Sequence, residues 1–226
     1  RIRQQPKHAQ VPELEDLTMH LAELAGIPTV PHSLIRMHSG SLAYITRRID
    51  RNKKNKLHME DMCQLTERLT EDKYKGSYEQ IGRAILKYSA NPVLDLINFF
   101  EQVLFSFLTG NADMHLKNFS LIEQPGTGFV LAPAYDMVAS ALVVQGDHEE
   151  LALNVNGKKR KLQRKDFDIV FSSFKVLEEK AINNMYSKFS NAIESWLLLI
   201  PQSFINQPLQ EQYTQLIHQR AEVLGL

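Results

Sequence analysis

Apolar residues recur at helical spacing over most of the chain, and gather into short runs between turn residues in a few places. The run 92–109, PVLDLINFFEQVLFSFLT, is apolar nearly all round, as in a helix buried on every side. Gly110 and Asn111 follow as its stop signal. The polar run 111–118, NADMHLKN, comes directly off that end. FSLI at 119–122 and FVLA at 129–132 read as two short strands, joined by a turn with Pro125, Gly126 and Gly128. Such a hairpin brings Asp136 back beside Asn118.

The rest of the pattern frames this centre. Periodicity predicts a helix over 13–25, then strands over 29–37 and 42–49, joined by a Ser39-Gly40 turn. From 58 onward helices dominate: 58–70, 77–88, 92–109, 164–174, 178–199 and 209–222. Gly146-Asp147 and Asn156-Gly157 are turn signals around a short strand at 151–155. Phe189, Ile193, Trp196, Leu197 and Ile200 form an apolar stripe that reads as core. Cys63 shares an apolar helical face with Met62, Leu65 and Leu69, so it reads as a core thiol. The chain divides into a small sheet-containing part, 1–57, and a helical part, 58–226, an α+β organisation.

Composition narrows the picture little. The chain has 226 residues and is 43% hydrophobic, enough for one large core or two modest ones. Formal net charge is zero, which leaves no global basic field for nucleic acid. The basic runs 47–56 and 158–165 read as solvated loops. One cysteine excludes an internal disulfide and fits a reducing, cytoplasmic setting. The eight histidines show no H-x-x-x-H spacing, so no zinc site is expected. No uncharged apolar run has the length of a membrane span, 92–109 being broken by Asp95 and Glu101, and no signal peptide is seen.

Asp113 and Asn118 stand as D-x-x-x-x-N, and Asp136 follows one hairpin later. Phosphoryl transfer needs such a set: a carboxylate to orient and deprotonate the attacking hydroxyl, and an amide oxygen and second carboxylate to hold Mg²⁺ on nucleotide phosphates. Asp and Asn are also ordinary turn residues after a helix. Their combination, led into by a buried helix, points to a kinase with ATP and Mg²⁺ as cofactors.

GNADMHLKNFSLI followed by LAPAYDMV resembles the signature of the HipA-like serine/threonine kinases, the toxins of bacterial type II toxin–antitoxin systems. EDLTMHLAELAGI at 15–27, YITRRIDR at 44–51 and HMEDMCQ at 58–64 are similar to further family segments, with Ile49 where Phe is usual. Tyr74 and Ser77-Tyr78-Glu79 fit its K-Y…S-Y-E segment. The resemblance covers about residues 13–170 and implies a protein-kinase-like fold. It implies Asp113 as catalytic base and Asn118 and Asp136 as Mg²⁺ ligands. It leaves His115 and Lys117 either touching the phosphates or ordering the loop. It makes Arg47, Arg48 and Ile49 the hinge that receives adenine, and Glu15 the partner of the nucleotide lysine, against the alternative of an ordinary surface glutamate.

The resemblance also implies partners. Relatives phosphorylate aminoacyl-tRNA synthetases, and a helix-turn-helix antitoxin is encoded alongside; contact with DNA would run through that antitoxin. Family members carry a phosphate-covering loop and a strand ending in a lysine near their N-terminus. Neither is found before Glu15; residues 1–13 read as linker, and Lys7 has no strand before it. Some relatives divide this small subdomain off as a separate protein, so it is expected in another segment or chain. No autophosphorylation serine is assigned. Two rival readings use the same residues: a kinase-like scaffold without transfer, and a phosphotransferase acting on a small molecule.

Overall fold

Helix α4 (Pro92–Thr109) is the axis of the core in the computed structural model, which describes residues 10–52, 55–144, 146 and 148–226. Lys7, Lys53, Lys54 and Asp147, which entered the readings of the linker, the first basic run and a turn, lie outside the described residues. Phe99, Phe100, Phe105 and Phe107 on α4 are fully buried; each such side chain contributes about 1.5–3 kcal/mol by leaving water. Its two buried carboxylates are both engaged. Asp95 accepts from the Leu131 amide at 2.8 Å and from the Ser89 hydroxyl, and Glu101 pairs with Lys188. Length and composition alone would let this helix cross a membrane, yet most of it is covered by the rest of the chain.

The covering elements are helices. α3 (Tyr78–Tyr88), α6 (Glu179–Leu199) and α7 (Gln207–Leu224) pack on α4, and α5 (Arg164–Ser173) packs on α6. α1 (Val11–Leu24) joins the same core through Leu14, Leu17 and Leu21. The indole N–H of Trp196 on α6 donates to the Leu21 carbonyl at 2.8 Å. α1 ends at Ala25 and at Gly26, whose φ of +68° suits a residue without a Cβ.

The strands are short. β1 (His32–Arg36) and β2 (Leu42–Thr46) form an antiparallel hairpin, and β3 (Arg51–Asn52) pairs with β4 (Asn55–Lys56). β5 (Met59–Asp61), β6 (Ser120–Gln124) and β7 (Gly128–Leu131) make a three-stranded antiparallel sheet. Mixed helices and small sheets match the expected α+β, kinase-like class.

Two elements differ from the sequence reading. The helix expected over 58–70 is a strand, β5, followed by a one-turn helix α2 (Met62–Leu65). Asp61 closes a capping box with Gln64, so helix begins only after it, and Glu67 at φ +54° ends the turn. Cys63 is buried as expected, whereas Leu69 falls outside that face and is 66% exposed. The segment 151–155 makes single bridges, Asn154 with Ser77 and Val155 with Lys158, instead of a strand. Its Leu151, Leu153 and Val155 are buried all the same.

Candidate functional site

The polar loop begins where α4 must stop. Gly110 sits at φ +68°, and its amide closes onto Phe107 and Ser106. A Cβ there would lie 2.5 Å from Leu216 Cδ2. Beyond it the loop is pinned at four points. The Ala112 amide donates to Ser140 Oγ at 2.9 Å, and the Tyr78 hydroxyl donates to the Met114 carbonyl at 2.9 Å. Asn118 Nδ2 donates to the Asp113 carbonyl at 3.1 Å, and the Tyr135 hydroxyl to the Lys117 carbonyl at 3.0 Å. Three anchors from distant segments and one bond within the loop fix the backbone that presents Asp113.

Asp136 reaches the same place from the other side of the hairpin. It adopts φ +57°, a left-handed conformation that costs a non-glycine residue about 1–2 kcal/mol. Such local strain is found where structure over-determines a functional position. Ala134 sets the frame: its amide donates to the Pro28 carbonyl at 2.8 Å, and its carbonyl accepts from the Val30 amide at 2.9 Å. The segment leaving α1 is thereby tied to the loop carrying Asp136, and α1 turns Glu15 toward it.

Electrostatics show how closely these groups meet. The Asp136 carboxyl is exposed at the cleft mouth, yet the cleft walls limit its hydration and raise its pKa. The charge of Asp113 raises it further, while His115, Lys73 and a hydrogen bond with Asn118 act the other way. Glu15 is pushed up to about 8, first by burial, then by Asp136 and Asp16. Glu15 itself is half-buried. Limited hydration and neighbouring carboxylates thus push both Glu15 and Asp136 toward the neutral form. An oxygen-rich donor set short of positive charge fits a hard dication.

The remaining expected residues fall as follows. The His115 ring is buried, stacks edge-on against Tyr74 with centroids 4.9 Å apart, and leaves Nδ1 without a hydrogen-bond partner among the described residues. Burial lowers its pKa. Lys117 turns to the end of β5, with Nζ 2.8 Å from Asp61 Oδ2. Arg48 is held by Asp50 through two bonds of 2.9 and 2.7 Å, and the Arg47 amide donates to the Pro31 carbonyl. Ile49 packs against both apolar clusters.

Two site residues were missed as such. Tyr74 donates to Asp113 Oδ1 at 2.5 Å. Lys73 places its charge near both Asp136 and His115, and its carbonyl accepts from the Leu116 amide at 3.1 Å. The K-Y pair was visible in sequence, but nothing in its spacing tied it to a loop some forty residues on. Within the basic run 158–165, Lys158 pairs with Asp166, Lys159 with Glu149 and Arg164 with Asp168.

Residues 3–197 match the family model of the HipA-like C-terminal domain. A protein of Sinorhizobium fredii named "Putative kinase Y4dM" is 34% identical over 151 residues, 66% of this chain and 34% of its own length. A "Putative kinase" of Haemophilus influenzae is 31% identical over 141 residues, 56% of this chain and 40% of its own. The chain thus spans between a third and two-fifths of these curated relatives. Among solved structures, HipA of Shewanella oneidensis, determined with HipB and operator DNA, superposes with a TM-score of 0.83 at 21% identity. That match covers 97% of this chain and 57% of the other. The Helicobacter pylori proinflammatory kinase CtkA gives a TM-score of 0.66 at 13% identity, covering 96% and 86%. At these identities the superpositions establish the shared fold.

Proposed function

Because the chain belongs to the HipA-like C-terminal domain family, we propose that it is the body of an ATP-dependent serine/threonine protein kinase. The observation that carries this reading is convergence. Asn118, Asp113 and Glu15 all lie close enough to Asp136 to interact with it electrostatically. Asp113 would orient the attacking hydroxyl and take its proton, and Tyr74 holds that carboxylate meanwhile. Asn118 and Asp136 would hold Mg²⁺, which supplies charge neutralisation on the transferred phosphate. Glu15 would meet the nucleotide lysine, and the backbone of Arg47 to Ile49 would receive adenine. Residues 1–57 would then be part of the nucleotide-side lobe and 58–226 the helical lobe.

The named relatives support kinase chemistry, and the HipA structure with HipB and operator DNA supports a toxin–antitoxin setting. The partner we propose is accordingly a helix-turn-helix antitoxin, through which DNA is reached. The substrate we propose is a protein of the translation machinery, an aminoacyl-tRNA synthetase, modified in the cytoplasm.

The test is transfer from γ-labelled ATP and Mg²⁺ into lysate proteins, with the chain in its full native context. Asp113→Asn should keep the melting temperature and lower transfer by about 10²–10⁴-fold. Label appearing in a small molecule would favour the small-molecule phosphotransferase. Nucleotide binding with no transfer by the wild type would favour the scaffold. Undiminished protein labelling by the Asp113→Asn chain would remove Asp113 from its role.

A further inference from the structure

A second cluster of ligating side chains lies on the outer side of α1. Asp16 and His20 stand one helical turn apart, Glu23 follows on the same face, and His32 comes in from the start of β1. One ligand atom each from Asp16, His20 and His32 lie within 4.8 Å of one another. His32 is the informative member. Its side chain is 1% exposed, and neither ring nitrogen has a hydrogen-bond partner among the described residues. Asp16 Oδ1 is likewise buried and unpartnered. The carboxylate neighbours of His32, Asp16 at 3.7 Å and Glu23 at 3.3 Å, meet it outside hydrogen-bond geometry, and burying polar groups so poorly paired costs about 1–3 kcal/mol per group. Something of complementary chemistry is called for between them.

We propose that Asp16, His20 and His32 bind a single zinc-class divalent ion. The geometry separates the two nitrogens of each ring. His20 Nε2 lies 3.7 Å from Asp16 Oδ2 and His32 Nδ1 lies 3.7 Å from Asp16 Oδ1, so the rings face the two oxygens of one carboxylate. Ligand atoms about 2.0–2.1 Å from one ion in tetrahedral array lie close to that separation. The outer nitrogens face a different carboxylate. His20 Nδ1 is 3.0 Å from Glu23 Oε2, and His32 Nε2 is 3.3 Å from Glu23 Oε1. Glu23 therefore spans both rings from behind, with Thr29 donating to its Oε1 at 3.0 Å. A carboxylate behind each metal-bound histidine fixes tautomer and ring orientation and raises ligand basicity. Two imidazoles and one carboxylate select zinc and its neighbours over Mg²⁺ or Ca²⁺.

The sequence expectation of no zinc site rested on histidine spacing. That reading could not weigh His20 together with His32, because the two come from different elements. Only the Asp16 and His20 half, at one-turn spacing, could be read from the chain. A bound ion would clamp α1 to β1, beside the turn of α1 that carries Glu15. The site uses none of Asp113, Asn118 or Asp136, so its failure would leave the kinase reading standing.

The experiment is zinc titration of the intact chain by calorimetry, with X-ray absorption on the loaded protein. One equivalent should bind, with two imidazoles in the ion's shell. His20→Ala, at a half-exposed position, should keep its circular dichroism spectrum and lose the ion. Glu23→Gln should weaken binding by about 10–100-fold, and Asp136→Asn should leave it unchanged. No stoichiometric binding, a shell of oxygens alone, binding indifferent to His20→Ala, or loss on Asp136→Asn would each overturn the site.

Discussion

Gly110 shows how much a single position decides. It ends the core helix in a left-handed conformation and leaves no room for a methyl group beside Leu216. Gly110→Ala adds backbone strain of about 1–2 kcal/mol and crowding of about 1–3 kcal/mol. Denaturant unfolding should therefore show a loss of roughly 2–5 kcal/mol, and activity should fall with it because the loop bearing Asp113 is displaced. Lys73 makes the opposite case. It contacts the cleft electrostatically and lies outside the core, so Lys73→Met should leave stability nearly unchanged. If it meets nucleotide phosphate, the loss of a charge-assisted bond worth about 1.5–3 kcal/mol should appear as a raised KM for ATP; an unaltered KM would exclude that contact. Asp113, Asn118 and Asp136 were legible because their spacing is local to one loop and one hairpin. Lys73, Tyr74 and His32 were not, since only folding across separate segments gives them their neighbours.

At the scale of elements, long amphipathic helices were the readable part. Pro92–Thr109 fell where its apolar run placed it, because proline opens it and glycine closes it. The stretch after residue 57 was misread because its apolar spacing suits a helix, while pairing with β6 makes its first residues a strand. Local periodicity does not record such a non-local partner. Asp166 on α5 supplies a test of how elements are joined. Its carboxylate is 1% exposed and accepts from Lys158 Nζ at 2.8 Å, Asn156 Nδ2 at 3.0 Å and the Gln163 amide at 3.0 Å. Burial alone would raise its pKa; the bonds from Lys158, Asn156 and Gln163 outweigh this and lower it. An unfolded chain therefore takes up this proton at higher pH than the folded one. The stabilisation is complete above the ordinary aspartate range and is lost as pH falls through the folded value. Asp166→Ala should cost about 2–4 kcal/mol at neutral pH. The difference from wild type should shrink on acidification, as read by urea midpoints; a constant difference would refute the linkage.

One hydrophobic core runs through the whole molecule, from Leu14 on α1 through the α4 phenylalanines to Trp196 and Tyr213. The sequence suggested a division near residue 57, and periodicity alone could not show that α1 inserts among the C-terminal helices. Trp196, the only tryptophan, is fully buried and bonded to Leu21, so its fluorescence reports the joint between the two parts. Thermal unfolding followed by tryptophan emission and by far-ultraviolet circular dichroism should give coincident transitions. Separate midpoints would show that the parts melt independently.

The parallel bridge between Thr29 and Ala134 has a consequence in time. It joins Thr29, early in the chain, to Ala134, past its midpoint, and loop closure of that span must be met before the contact stabilises anything. A nascent chain leaving the ribosome can build α1 early, but it cannot seat Asp136 until the hairpin and its following loop have emerged. The acidic cluster therefore forms only after Asp136 has emerged, well after α1. Weakening the bridge, with Pro28→Gly, should speed unfolding and leave the refolding rate nearly untouched. A slowed refolding limb would instead place that closure in the nucleus.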